Sequence, residues 1–406
     1  MSFRIALSGM NAASSDLNVI SNNIANSNTT GFKESRAEFG DVFAVSPYGV
    51  ATNATGAGAR LQRVAQQFNQ GNIDFTGNAL DMGVSGQGFF TLSNNGAMAY
   101  SRAGNFSTDA SGYVVNPSGQ RLQVFAANPD GTTFNTSKLT DIQLTTGDAP
   151  PQVSTKVQAD LTLPGNATVP VKVPFDAADP TTYNHSTSLT VYDSLGASHS
   201  QSLYFTKTAN PNEWTMQAQI DGVDVGTPQT LAYDATGALV SPAGGDITLP
   251  PYTPPGGAGP LNLTVDLGNS VQYGQKFAVS ALNQDGSGTG SLSSISVSAE
   301  GVIQANYSNG VTRSLGQVAL TMFANPQGLQ QSGDNAFSET YASGQPLHGA
   351  AGTSQFGLVQ GGALEASNVD QTAQLVNMIT AQRNFQANAQ MIQTQDQVTQ
   401  TIINLR

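Results

Sequence analysis

Three histidines, His185, His199 and His348, are the residues of this 406-residue chain best suited to hold a metal or pass a proton. They lie far apart with no ligand spacing between them, and there is no cysteine to complete a zinc set. Ordinary surface or hydrogen-bonded roles are the expectation for all three. Gly286-x-Gly288-x-Gly290 lacks the last spacing and the flanking strand and helix of a dinucleotide loop, and no Walker-type lysine follows any glycine run. Asp81 with Asp109, or Asp221 with Asp224, would be the carboxylate pairs for acid–base work. Each sits in a turn-rich stretch where Asp is favoured for local reasons. Asn105-Phe106-Ser107 is an acceptor triplet that matters only where a glycosylation system is present. The residue types therefore assign no catalytic, cofactor-binding or metal-ligating position, and the expected class is not an enzyme.

Composition points the same way. Charged residues are 10% of the chain, against about 25% in ordinary soluble domains. The 15 basic and 27 acidic residues leave a formal charge of −12. No basic patch is present, so a nucleic-acid partner is excluded as an expectation. The 43 glycines, with Ser, Thr, Asn and Gln at surface positions, suit an extracellular β-rich or polymer-forming protein. Without cysteine, stability outside a cell would have to come from packing and assembly rather than disulfides. No run is long enough to insert in a membrane, and the N-terminus lacks the charged and apolar regions of a cleavable signal, so export would use another route.

The strongest pattern lies at the two ends. From Ser367 to Arg406 there is neither Gly nor Pro, and Leu375, Met378, Ile379, Phe385, Ala389, Ile392, Thr399 and Ile403 recur at helical spacing. Ser367 followed by Asp370 reads as a helix start, and Arg406 would lie at the negative end. Such a helix would run roughly 55–60 Å at 1.5 Å per residue. Its polar face is Gln- and Asn-rich rather than charged. At the other end Phe3, Leu7, Met10, Ser14, Leu17, Ser21 and Ile24 follow four-three spacing, widened by Ala6, Ala13 and Ile20. Neither helix can bury its stripe alone. The expectation is that the two pair with each other and with copies from neighbouring chains. Phe3, Leu7, Met10, Leu17, Ile24, Leu375, Met378, Ile379, Phe385, Ile392 and Ile403 would then form the inter-subunit packing.

Between the ends the chain reads as strands and turns. Residues 29–75 look like an extended connector, with Phe39, Val42 and Phe43 apolar and Thr52 to Gly58 loop-like. From 76 to 145 short strand signals alternate with turns such as Asn94-Asn95-Gly96 and Asn128-Pro129-Asp130-Gly131. Fourteen of the 19 prolines fall between 150 and 260, where Leu261, Leu263, Val265 and Leu267 also alternate. Asp285 to Gly290 reads as an exit linker. Leu315 to Phe323 is apolar on both faces, like a central strand. The expected fold is mainly β with terminal α-helices. Two nested β domains, 76–145 with 293–364 and an inserted 146–292, sit between the ends, and 1–28 with 365–406 make a coiled-coil domain.

Two terminal motifs carry a family resemblance. Asn22-Asn23-Ile24-Ala25-Asn26 through Gly31-Phe32-Lys33, and Leu364-Glu365-Ala366-Ser367-Asn368-Val369-Asp370, resemble the signatures of the bacterial flagellar axial rod and hook family. Leu80 to Phe90, Tyr100 to Phe106 and Ala336-Phe337 are similar to the β domain of its hook and distal-rod members. The insertion of about 140 residues and the ending Ile402 to Arg406 look like the hook branch. The resemblance implies a homopolymer: a curved, flexible tube with a central export channel, acting as a universal joint between motor and filament. Implied partners are the distal rod, hook cap and hook–filament junction proteins and the flagellar export apparatus, with no cofactor. The implied location is the extracellular hook. A distal-rod-type axial protein, or a secreted β-rich adhesin, is the alternative.

Overall fold

The structure is a computed structural model that describes residues 2–42, 56–128, 131–144 and 147–404. Phe43, residues 52–55 of the expected loop, the Pro129-Asp130 centre of one expected turn, and Leu405 with Arg406 lie outside the described residues. The chain divides into two compact units, one of residues 1–145, 294–305 and 313–406, the other of 146–293 and 306–312. Strand dominates both, and the only α-helices among the described residues are α1 (Ser2–Ala25) and α2 (Gln371–Asn404). The expected mainly β class with terminal helices is what is found.

In the first unit α1 runs into a turn closed by Asn26 N–H on Asn22 O and Thr29 N–H on Asn26 O. The segment expected to be an extended connector forms a paired hairpin instead. Residues Ser35–Asp41 (β1) and Ala59–Gln66 (β2) pair antiparallel from Ser35 opposite Gln66 to Asp41 opposite Ala59. Apolar residues are sparse there: Phe39 is the one large apolar residue of β1, and Leu61 and Val64 in β2 are three apart, so no period-two alternation marks the pair. Ile73–Phe75 (β3) and Met82–Ser85 (β4) are short and pair with returning residues 363–365 and 358–361. Phe89–Asn94 (β5) and Ala97–Ser101 (β6) form a hairpin across Asn95-Gly96. Residues 312–322 cross beside β5 and the strand 121–127, as the two-faced apolar run required. Met82, Val84, Phe90, Leu92, Leu122, Val124, Val318 and Leu320 fill the core at 0–2% exposure.

The second unit has its own core. The alternating Leu261, Leu263, Val265 and Leu267 are all buried, the last three packed with Leu161, Leu203, Phe205 and Trp214. Trp214 satisfies its indole N–H on Gln272 Oε1 at 3.0 Å. The Gly/Ser run 285–290 is no free linker. Ser287 and Gly290 bridge Gln152 and Ala149, and Asp285 accepts the N–H groups of Thr155 and Lys156. Backbone bridges and the Asp285 carboxylate together join these two polar segments.

One turn recurs across both units. In Asp109–Gly112, Asp193–Gly196 and Asp234–Gly237 the first Asp accepts the N–H groups two and four residues on. The glycine adopts φ of +82°, +83° and +87°, a region costly for other residues.

Candidate functional site in the terminal helices and their buried foot

The paired helices are antiparallel. Gly9 lies against Asn388, Asn23 against Gln374, and Ser27 against Gln371. On α1 the buried positions Ala6, Ala13 and Ile20 recur every seven residues, with Asn23 continuing the seam. On α2 Gln374 and Ala381 are buried and Met378, Asn388, Ile392 and Gln395 half-buried, the same four-three period. Small residues let the axes approach: a Cβ on Gly9 would stand 2.6 Å from Asn388 Oδ1. Asp16 lies on this seam, and burial raises its carboxyl above the usual range.

The large apolar side chains expected to pack between subunits are not what holds this pair together. Phe3 and Leu7 are exposed, and Met10, Leu17 and Ile24 only half-buried. Each follows or precedes a seam residue, so it stands about a hundred degrees round the helix from it. On α2 Leu375, Ile379 and Ile403 are exposed at 51%, 50% and 67%, and Phe385 at 36%. Met378 and Ile392 are half-buried on the seam. None of the eleven is fully buried within the chain. The register takes Ser2 to about Gln395, so the last turns of α2, with Val398, Ile402 and Ile403, extend past α1.

The expected start of α2 at Ser367 moves to Asp370. Asp370 Oδ1 accepts Thr372 N–H at 2.8 Å and Ala373 N–H at 3.1 Å, a side-chain cap. Ser367 Oγ makes only a 3.4 Å contact to Val369 N–H. Residues before the cap are held extended: 363–365 pair with β3, and Ala366 N–H donates to Asn72 O. A helix cannot begin where the backbone is already paired. At 34 residues, α2 is about 51 Å long at 1.5 Å per residue.

Below the pair, the motif residues converge. Asn23 is 1% exposed and pairs with Ser35 in both directions, donating to Ser35 O at 2.8 Å and accepting from Ser35 N–H at 2.9 Å. Its amide also reaches Gln374, which donates to Glu34 Oε1 at 2.8 Å. Asn368 accepts Glu34 N–H at 2.7 Å and donates to Gln67 O and Asn69 O. Gly31 has φ +68°, and a Cβ there would meet Ala103 N at 2.4 Å, so only glycine fits. Phe32 is buried beside it. Asn22 is exposed and accepts from the half-buried Asn26. Leu364 pairs with Asp74, and Val369 is half-buried.

Glu365 lies at the centre with no exposed surface. Oε1 is 2.6 Å from Lys33 Nζ and accepts Gly71 N–H at 2.9 Å, while Oε2 is 3.2 Å from Arg102 Nη1. Lys33 also donates to Asn69 O and Arg102 to Gly86 O. Burial pushes both cations below their usual range, against the pull of Glu365. Arg102, Glu34, Ser35 and Gln374 are the participants that sequence reasoning did not single out. An arginine in so cation-poor a chain, inside the turn Ser101-Arg102-Ala103-Gly104, was the available signal.

Chemistry of other kinds finds little footing. Asp81 accepts from Thr76 and Asn78, Asp224 from Gln219, and Asp109 serves its turn. His185 stacks on Phe277, and His348 pairs with Thr321 Oγ1. No cluster of three metal-ligating side chains is found among the described residues, and no described helix is long and apolar enough to cross a membrane.

A mainly β chain whose ends pair as long helices over a buried Asn/Lys/Glu foot is an axial-type structural subunit. Four family profiles match: "Flagella basal body rod protein" over residues 3–33, "Flagellar hook protein FlgE/F/G D1 domain" over 83–173, "Flagellar basal body protein FlaE D2 domain" over 157–287, and "Flagellar basal body rod FlgEFG protein C-terminal" over 360–405. The chain is 39% identical over 414 residues to the flagellar hook protein FlgE of Escherichia coli, covering all of both chains. It is 34% identical over 437 residues to that of Borreliella burgdorferi, covering 98% of each. Its fold is similar to the crystal structure of Helicobacter pylori flagellar hook protein FlgE2, with TM-score 0.54 and 17% identity over 72% of this chain and all of that one. The chain belongs to the flagellar hook protein family, a family of structural subunits of the bacterial flagellum.

Proposed function

We propose that this chain self-assembles into the curved, flexible tube of the flagellar hook, outside the cell, and transmits motor torque to the filament as a universal joint. The observation that carries the reading is the second apolar face of the helix pair. Mainly small and polar residues, with Ile20, close the seam within the chain, and Phe3, Leu7, Leu375 and Ile379 are left exposed. Side chains of this size stabilise by about 1.5–3 kcal/mol each once buried, so copies of the chain are their natural cover. α2 also offers an almost charge-free row of Gln and Asn, suited to lining a channel through which unfolded subunits pass. The neighbours in this reading are the distal rod, hook cap and hook–filament junction proteins, with delivery by the flagellar export apparatus.

Bending asks neighbouring subunits to slide at low cost. Few charges, and exposed ion pairs worth little each, leave many near-equal contacts available. The test is negative-stain electron microscopy of the full chain beside a chain lacking residues 1–30 and 367–406. Curved tubes from the first and monomers from the second are expected. A full chain that stays monomeric with ordered helices would overturn the reading.

A further inference from the structure

Leaving out the half-buried Glu34 carboxylate, the fully buried ion cluster of the foot holds more positive than negative charge. Lys33 and Glu365 have no side-chain exposure and Arg102 has 5%, so two cations share one carboxylate. Arg102 uses two of its five N–H donors, on Glu365 and Gly86 O, and its buried Nε has no partner. A buried surplus charge with an unpaired donor is costly, and in native proteins such a group ordinarily has a partner. Beside Arg102 lies an open cavity of about 500 Å³. Phe68, Phe89 and Phe323 line its apolar side, and the exposed Gln70, whose Oε1 accepts Gly86 N–H at 2.9 Å, and Gln87 line it too. The guanidinium carbon stands 5.4 Å from the Phe89 ring centre, in the cation–π range.

We propose that this cavity is a carboxylate receptor, filled in the polymer by an acidic side chain on an extended segment of a second copy of the chain. The carboxylate lies against the Arg102 guanidinium and offsets the surplus charge, while the Gln70 and Gln87 carboxamides take peptide groups of the entering segment and the phenylalanines its apolar neighbours. A chain with 27 acidic residues against 15 basic ones supplies the donor in abundance. The inference rests on the self-assembly reading above. It adds a polar, geometrically specific contact to the non-directional packing of the helices.

Two variants of the full chain separate this role from a purely structural one. Arg102→Met removes the surplus charge and leaves Lys33 and Glu365 as a neutral pair. Gln87→Trp narrows the mouth from an exposed position and does not touch the ion pairs. Gln87→Trp is expected to keep the monomer's melting temperature within a few degrees, and both variants to raise the critical concentration for assembly by about tenfold or more, the scale of losing one desolvated charge contact. Sodium acetate, as a carboxylate probe, should raise the melting temperature of the wild-type monomer and not that of Arg102→Met. Gln87→Trp assembling at the wild-type concentration would overturn the proposal, even if Arg102→Met fails to fold. So would chloride at matched ionic strength protecting as well as acetate, since the site would then serve a free anion. Absence of polymer from the wild-type chain would overturn the self-assembly reading itself, and this proposal with it, a result distinct from normal wild-type assembly with unaffected variants.

Discussion

In the 146–293 unit Phe205, Trp214, Leu203 and Leu163 have no exposed surface at all, whereas along α2 Leu375, Ile379 and Ile403 are half exposed or more. The β unit has a closed core of its own, although Val223, Val240 and Val279 on its short or edge strands stay exposed. The helix pair is unfinished. Its seam is assembled mainly from Ala6, Ala13, Ala381 and the amides of Asn23 and Gln374, with Ile20 the one large apolar side chain fully buried, so it fixes register and approach but buries little apolar area. Most helical stability in proteins comes from packing an apolar face, so the pair draws the missing part from neighbours. One region is built to be stable alone and the other to become stable in company.

Breaking each region should therefore show up in a different measurement. The largest effect is expected from Leu375→Asp with Ile379→Asp, which should abolish sedimentable polymer while leaving the melting of the β regions unchanged. Polymers from this variant would remove the distinction. Trp214→Ala should do the reverse, lowering unit stability by about 3–5 kcal/mol through the cavity it leaves, read by denaturant unfolding with assembly of the surviving fold intact.

Glu365→Ala tests the join between helices and strands. It leaves Lys33 and Arg102 buried without a counter-charge and should cost about 3–5 kcal/mol, seen as loss of ordered α2 by circular dichroism. A variant with wild-type helicity would mean that the amide clamp of Asn23 and Asn368 suffices. Deleting residues 150–285 should leave a chain that still polymerises, because the helices remain, into tubes of altered curvature or stiffness. Unchanged curvature in electron micrographs would show that the self-sufficient unit plays no part in bending.

The smallest effect is a pH dependence confined to the β unit. His199 lies between Asp221 Oδ2 at 2.6 Å and Asp193 Oδ2 at 3.3 Å. Burial disfavours its charge, but the hydrogen bonds and charge of the two carboxylates outweigh this and raise its pKa above the usual 6.5. Tyr252 is the other titratable group at the cluster, donating to Asp221 Oδ2 at 3.5 Å. A raised folded value means the stabilisation is complete below the unfolded pKa and is lost as pH rises through the folded one. The melting temperature should fall modestly from about pH 6 upward, and His199→Gln should flatten that slope. An equal slope in the variant would assign the dependence elsewhere.

Some of this was legible from local pattern. The four-three spacing of both ends, the alternation from Leu261 to Leu267 and the two-faced run before Phe323 became helices, a buried row and a central strand. These signals work because solvent sorts side chains by the period of the backbone that carries them. The hairpin β1–β2 was missed because no period-two alternation marks it. The recurrent Asp-x-x-Gly turn was visible in the sequence, but its meaning lies in which N–H groups the carboxylate can reach.

The sequence by itself determined that the ends are helices with an apolar stripe, that the middle is strand and turn, and that no catalytic chemistry is spelled out by residue spacing. Periodicity is a local property, and it survives without knowledge of partners. Only the tertiary structure decided that Lys33, Arg102 and Glu365 share one buried site, that α2 is capped by Asp370, and that the helix seam runs through alanines, amides and Ile20 while Phe3, Leu7, Leu375 and Ile379 stay exposed. Those outcomes depend on which distant segments meet. A stripe on one helix says that something must cover it, and only the fold shows how much of it the chain covers itself.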